Sequence, residues 1–157
     1  FHTIGNEYPQ FGGNYIVKHH TEFIGELIRD GKLKIESNSA TAITYHDPCY
    51  LGRHNGIFDQ PRSLIALTGA NLIEPERTRN NSFCCGAGGG QFWKDEERGK
   101  ERVSTNRFRE LKQTGAQTVA TGCPFCLRML TEETAKEDGS GPEVFDIAEL
   151  VTKKIRK

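Results

Sequence analysis

Hydrophobic positions along this chain fall into short runs whose spacing alternates between helical and extended. Ile16, Phe23, Ile24, Leu27 and Ile28 share one face at helical spacing, which predicts an amphipathic helix from 15 to about 30, capped by Asn14 and stopped by Gly31. Residues 32–36 alternate polar and apolar, as a half-exposed strand or hairpin arm does, and 37–39 read as a turn. A strand is predicted at 42–46, then a helix at 61–67 with Pro61 in its first turn and Gly69 beyond its end, then a short strand at 71–75. The longest helical stretch runs from 92 to about 114, with Val103, Phe108 and Leu111 facing inward. Residues 117–121 are the best candidate for a buried strand. Pro124 opens a further helix to about 136, and a short strand at 144–146 leads into an amphipathic helix at 147–154.

Strand, loop and helix in this alternation predict an α/β fold with a mostly parallel sheet flanked by helices. Ligands of such sheets lie beyond the carboxyl ends of the strands. Cys49 and Cys123 each follow a predicted strand, which puts a metal site on loops at that edge. Residues 1–13, with Gly5, Pro9, Gly12 and Gly13, have no periodicity and form an irregular segment; 14–157 read as a single domain. The chain begins with Phe1 and no secretory apolar segment follows, so it reads as a fragment of a longer protein.

Charge removes some function classes. Lys plus Arg and Asp plus Glu are 21 each, so no net field argues for nucleic acid or an anionic membrane surface. No apolar run approaches the ~20 residues that span a bilayer; any membrane attachment would lie elsewhere in the parent chain. The acidic and basic run 96–102 is most simply an exposed helix face.

The cysteines carry the chemistry. All five lie in one layout: Cys49, 34 residues, Cys84-Cys85, 37 residues, then Cys123-Pro124-Phe125-Cys126. An odd number defeats a fully paired disulfide framework, and vicinal cysteines poorly satisfy disulfide geometry with each other. Clustered thiols without an oxidising-compartment signal point to metal and to a cytoplasmic setting. Gly86-Ala87-Gly88-Gly89-Gly90 follows the double cysteine, and such a run suits backbone N–H groups gathered around anionic sulfur, with Gly86 next to the ligands. A phosphate-binding loop is excluded, since G-x-x-x-x-G-K-[ST] is absent. Three readings stand. Zinc takes four cysteines in a tetrahedron, commonly as two C-x-x-C pairs, whereas one such pair, one adjacent pair and a single cysteine suit a larger iron–sulfur cluster better. A thiol–disulfide oxidoreductase would use Cys123 and Cys126 at a helix start and leave Cys49, Cys84 and Cys85 unexplained. His46 and His54 flank Cys49 and are expected in hydrogen-bonding or surface roles, His19 and His20 as solvated or interface residues. Arg53 and Arg62 are read either as holding a substrate carboxylate or cluster charge, or as solvated cations.

Asp47-Pro48-Cys49-Tyr50-Leu51-Gly52-Arg53, Cys84-Cys85-Gly86-Ala87-Gly88-Gly89 and Thr121-Gly122-Cys123-Pro124-Phe125-Cys126 together resemble the cysteine-rich CCG domain of iron–sulfur oxidoreductases. That family includes the cysteine-rich component of heterodisulfide reductase and the iron–sulfur subunits of glycolate oxidase and anaerobic glycerol-3-phosphate dehydrogenase. His19-His20-Thr21-Glu22 and Asp146-Ile147-Ala148-Glu149-Leu150 also resemble the C-terminal half of such proteins. The resemblance implies a [4Fe–4S]-type cluster, cubane or non-cubane, on Cys49, Cys84, Cys85, Cys123 and Cys126; some family copies hold zinc. It further implies an electron-transfer module rather than a complete enzyme. Its partners would be a second CCG motif and ferredoxin-like clusters in the parent chain, and a flavoprotein dehydrogenase as donor, with a quinone or a disulfide as acceptor.

Overall fold

The computed structural model describes residues 1–37, 41–94, 99–138 and 140–155. Four parallel strands form one sheet in the order β2-β1-β3-β4: β1 Ala42–Tyr45, β2 Asn71–Leu72, β3 Thr118–Thr121 and β4 Glu143–Asp146. Ile43 stands opposite both Leu72 and Thr118, and Val119 opposite Val144. The helices are α1 His20–Arg29, α2 Asp59–Leu67, α3 Val103–Gln113, α4 Pro124–Ala135 and α5 Ile147–Thr152. The expected α/β fold with a parallel sheet is therefore present.

Alternation along the inner strands feeds two cores. Ile43, Tyr45 and Ala120 pack with Leu64, Ile65, Ile147 and Val151, the side of the sheet covered by α1, α2 and α5. Val119 packs on the other side with Phe108 and Leu111 of α3 and Leu130 of α4. Both faces of β3 are thus covered, and every residue of it is buried.

Several elements differ from the sequence expectation. Helix α1 begins at His20 rather than 15. His19 is its cap, accepting from the Thr21 N–H while Glu22 accepts from the His19 N–H. The His19 ring also reaches the Gly122 carbonyl at 3.1 Å, a tertiary tie that fixes where the helix starts and leaves Tyr15 and Ile16 outside, Ile16 being 91% exposed. Residues 32–36 form no strand, only an antiparallel bridge from Ile35 to Ile155. Of the 37–39 turn, Asn38 and Ser39 lie outside the described residues, as do Glu96, Glu97 and Arg98 of the charged run 96–102. The long helix expected from 92 shrinks to α3, preceded by a 3₁₀ stretch Gly88–Trp93 in which Gly89 and Gly90 take positive φ. Val103, at the first turn of α3, is 43% exposed rather than inward-facing, while Phe108 and Leu111 are buried. The strand expected at 71–75 is confined to Asn71–Leu72, with one more bond to β1 from the Ile73 N–H to the Ile43 carbonyl at 2.8 Å. Residues 1–13 are a π-helical turn Thr3–Glu7 and a 3₁₀ turn Tyr8–Phe11. Among the described residues, no helix is long and apolar enough to cross a membrane.

Candidate metal centre

Two strand ends and one loop bring the cysteines together. Beyond β1, His46 adds one more bond to β3 through its N–H to the Ala120 carbonyl (2.9 Å), and the chain turns through Asp47 and Pro48 to Cys49. That turn is closed by Gly52 N–H to the Pro48 carbonyl and His54 N–H to the Cys49 carbonyl. Beyond β3, Gly122 leads to Cys123, the cap residue of α4, and Pro124 fills the first helical position, where no N–H is needed. Cys126 follows one turn into the helix and is buried.

The double-cysteine loop is pinned to the same edge by buried polar contacts. Asp47, 2% exposed, accepts both terminal nitrogens of Arg62 at 2.8 Å, the Arg79 N–H at 2.8 Å and the Thr78 hydroxyl at 3.2 Å. Its carbonyl accepts the Ser82 hydroxyl, and Arg53 donates to the Ser82 carbonyl. The Arg77 guanidinium lies 3.9 Å from the centre of the Phe83 ring, immediately before Cys84. Arg62 is therefore neither a substrate clamp nor a surface cation: it is the buried partner of Asp47 and Glu74. Arg53 ties the loop rather than facing a ligand.

Cys49, Cys85, Cys123 and Cys126 line one cleft of about 510 Å³ whose remaining walls are mostly apolar or small, Leu51, Ala87, Gly88, Pro124 and Phe125 among them. Cys85 and Cys126 pack together with Met129, and Cys123 adjoins them. Cys84 lies beside the cleft, its sulfur accepting the Gly86 N–H at 3.3 Å. Gly86 itself has φ +92, and a Cβ there would stand 3.2 Å from the Ser104 backbone nitrogen and 3.4 Å from Met129 and Val103. Only glycine fits that crossing without displacing the start of α3. Phe92, Trp93 and Phe125 form an edge-to-face trio, centroids 5.2 to 5.6 Å apart, beside the C-x-x-C turn.

The sulfurs influence one another. Hydrogen bonds from Cys126 and then Cys84 hold the Cys85 thiol far below its usual range, with His46 adding to the effect against the cost of burial. Cys126, giving its proton toward Cys123 and Cys85 and being buried, is pushed well up. Cys84 is likewise raised, by its bond to Cys85 and by burial. Cys123 is lowered to about 6 by the Cys126 thiol and the backbone N–H groups of Cys126 and Phe125, the first-turn amides of α4. The site thus favours negative charge at Cys85 and Cys123, with Cys84 and Cys126 as the thiols that donate to them.

His46 is fully buried, and a ring nitrogen lies within 4.8 Å of the sulfurs of Cys85 and Cys126, a grouping able to hold a metal ion. Burial lowers its pKa. His54 is exposed and rests against Tyr50. His19, expected among solvated or interface residues, instead lines the cleft, and His20 pairs with Asp146 at 3.1 Å. No local pattern marks His19, because its nearness to the cysteines depends on the contact with Gly122. For Asp47 the available clue is its place in the Asp-Pro-Cys triplet, an acid standing just past a strand end.

Comparison with known proteins agrees with this geometry. The chain is 42% identical to EtfAB:quinone oxidoreductase of Syntrophomonas wolfei over 96% of its length. It is 40% identical to the probable iron–sulfur-binding oxidoreductase FadF of Bacillus subtilis over 99%. It is 35% identical to one component of the dihydromethanophenazine:CoB–CoM heterodisulfide reductase of Methanosarcina acetivorans over 97%. The chain spans 22% of the length of the first two and 36% of the third. The family model for the cysteine-rich domain, CCG, matches residues 43–131, the interval from β1 through most of α4 that holds all five cysteines. With its cysteines gathered at one sheet edge and that match across more than half its length, the chain belongs to the CCG cysteine-rich domain family.

Proposed function

We propose that this chain is an electron-transfer module of a larger oxidoreductase, holding a [4Fe–4S]-type cluster through Cys49, Cys84, Cys85, Cys123 and Cys126. The observation that carries the reading is four cysteines lining one largely apolar cleft with a fifth at its edge. The donor set fits such a group: thiolates are its usual ligands, and five exceed the four that close a tetrahedral zinc site. When bound, the cluster supplies a one-electron redox centre. The protein's own part is to favour thiolate at Cys85 and Cys123 and to wall the cleft mostly with apolar groups. The first amides of α4 favour thiolate at Cys123, the Gly86 N–H works against the raising effect of Cys85 and burial at Cys84, and Leu51, Pro124 and Phe125 lower the local polarity.

The relatives are named as an oxidoreductase of quinone, an iron–sulfur-binding oxidoreductase and part of a heterodisulfide reductase. By analogy, electrons reach this module from a flavoprotein dehydrogenase or a cluster elsewhere in the parent chain and leave toward a quinone or a disulfide, in the cytoplasm. Exchange of a Cys123–Cys126 disulfide is the weaker reading, because it gives Cys49 and Cys85, in the same cleft, no task. The test is anaerobic purification or reconstitution, followed by metal and sulfide analysis. About four iron and four acid-labile sulfide per chain, with brown colour, is the expected result. Stoichiometric zinc without visible absorbance refutes the proposal.

A further inference from the structure

His46 sits against the sulfurs in a geometry that decides its chemical role. Its Nδ1 faces the Nε of Arg107 at 3.0 Å, deep in the protein. Arg107 has no exposed surface and is itself fixed, donating to Glu110 Oε2 and to the Arg77 carbonyl, each at 2.9 Å. A guanidinium only donates, so Nδ1 of His46 must accept. The neutral ring then carries its proton on Nε2 and has no lone pair left for a metal. Among the described residues, that buried Nε2 has no hydrogen-bond partner of its own, although the ring lies within 4.8 Å of the Cys85 and Cys126 sulfurs.

We infer that His46 is not a ligand but a fixed N–H donor to the sulfurs of this site, its tautomer set by Arg107, and that it raises the reduction potential of whatever redox centre they hold. Donors to ligand sulfur stabilise the extra negative charge of the reduced state. The tautomer stands on protein geometry alone, while the potential rests on the cluster reading. Because Glu110 and Arg77 hold Arg107, the orientation is built before any metal arrives.

Two measurements separate these halves. Two-bond ¹H–¹⁵N correlation on histidine-labelled, metal-free protein should show His46 protonated at Nε2 and unprotonated at Nδ1. Protonation at Nδ1 overturns the inference whatever the site binds. The iron-loaded protein is then compared with His46→Leu and His46→Gln for iron content and reduction potential. Both variants should retain the iron of the unsubstituted chain. His46→Leu should titrate at a lower potential, and His46→Gln, whose amide can supply an N–H, should recover part of the shift. Loss of iron from both folded variants would make His46 a ligand and sink the inference; so would an unchanged potential in His46→Leu. If His46→Leu does not fold, the tautomer and the iron content of His46→Gln still decide between donor and ligand. An unsubstituted chain that takes up no iron refutes the cluster proposal and leaves the tautomer measurement to decide the role of His46.

Discussion

Replacing Asp47 by alanine should destabilise the metal-free protein by about 3 kcal/mol, in the lower part of the range for breaking one side of a buried ion pair. The carboxylate accepts two bonds from Arg62, 8% exposed, one from the Arg79 N–H and one from Thr78. Its loss leaves the buried guanidinium without its closest counter-charge, although Glu74 stays bonded to Arg62 at 2.5 and 3.0 Å and softens the penalty. Arg79 is also affected: its φ of +55 is an uncommon backbone state for a side-chain-bearing residue, and the bond to Asp47 helps hold it. For a chain of this length about 3 kcal/mol corresponds to a fall in Tm of about 6–12 °C. Asp47→Asn keeps an acceptor for Arg79 and Thr78 but removes the charge, so it should lie between the two. Urea titration of the metal-free variants measures the difference, with an unchanged slope certifying that the same surface unfolds. A loss under about 1 kcal/mol in Asp47→Ala would mean that Arg62 is fully served by Glu74 and the assigned hub is not one.

Other outcomes follow from the same geometry. Serine variants of the five cysteines should lose iron unequally: Cys85, Cys123 and Cys126, which pack together, most; Cys49 in between; and Cys84, which lies beside the cleft, least. Equal occupancy in Cys123→Ser or Cys126→Ser would rule out the proposed ligands. Gly86→Val should lower occupancy while removing no ligand, because φ +92 and the Ser104 backbone 3.2 Å from a Cβ leave no room; Gly88→Ala, where a Cβ meets nothing within 4 Å, should not. Acid should unfold the protein through Asp47, Glu110, Glu133 and Asp146. At each, burial would raise the carboxyl, but bonds from Arg62, Arg77, Lys136 and His20 respectively bring it below its ordinary value. Depressed folded-state values contribute stability that is present above about pH 4 and lost as pH falls further, so unfolding free energy should drop below that pH, and less steeply in Asp47→Asn. A stability profile flat down to pH 3 would contradict it.

The sheet is legible in the sequence because β1 and β3 are short runs rich in β-branched and apolar residues, bounded by turn residues, and the cysteine edge follows from Cys49 and Cys123 standing just past them. The glycine run directly after the double cysteine also singles out Gly86. What is not legible depends on contacts between distant parts of the chain. The start of α1 is set by His19 meeting Gly122, and nothing between 15 and 19 announces it. The start of the expected helix at 92 fails because the glycine-rich stretch turns as a 3₁₀ segment, Gly88–Trp93, and α3 itself runs Val103–Gln113. Arg62 reads as a surface or ligand-binding cation since its partner, Asp47, lies fifteen residues earlier and both are buried only after β1 and α2 pack. Arg107 gives no sign at all: a cation on a charge-rich helix reads as solvated until His46 and Glu110 close on it.

The aromatic trio beside the cysteines gives the molecule a built-in optical gauge. Trp93 is the only tryptophan in the sequence, and it stacks edge-on against Phe125, one of the two residues between Cys123 and Cys126. Its light emission therefore originates within a few side chains of the sulfurs and from nowhere else in the chain. A visible-absorbing group seated there would drain that emission by energy transfer, so, with excitation selective for tryptophan over the four tyrosines, filling and emptying of the cleft can be followed in real time without a label.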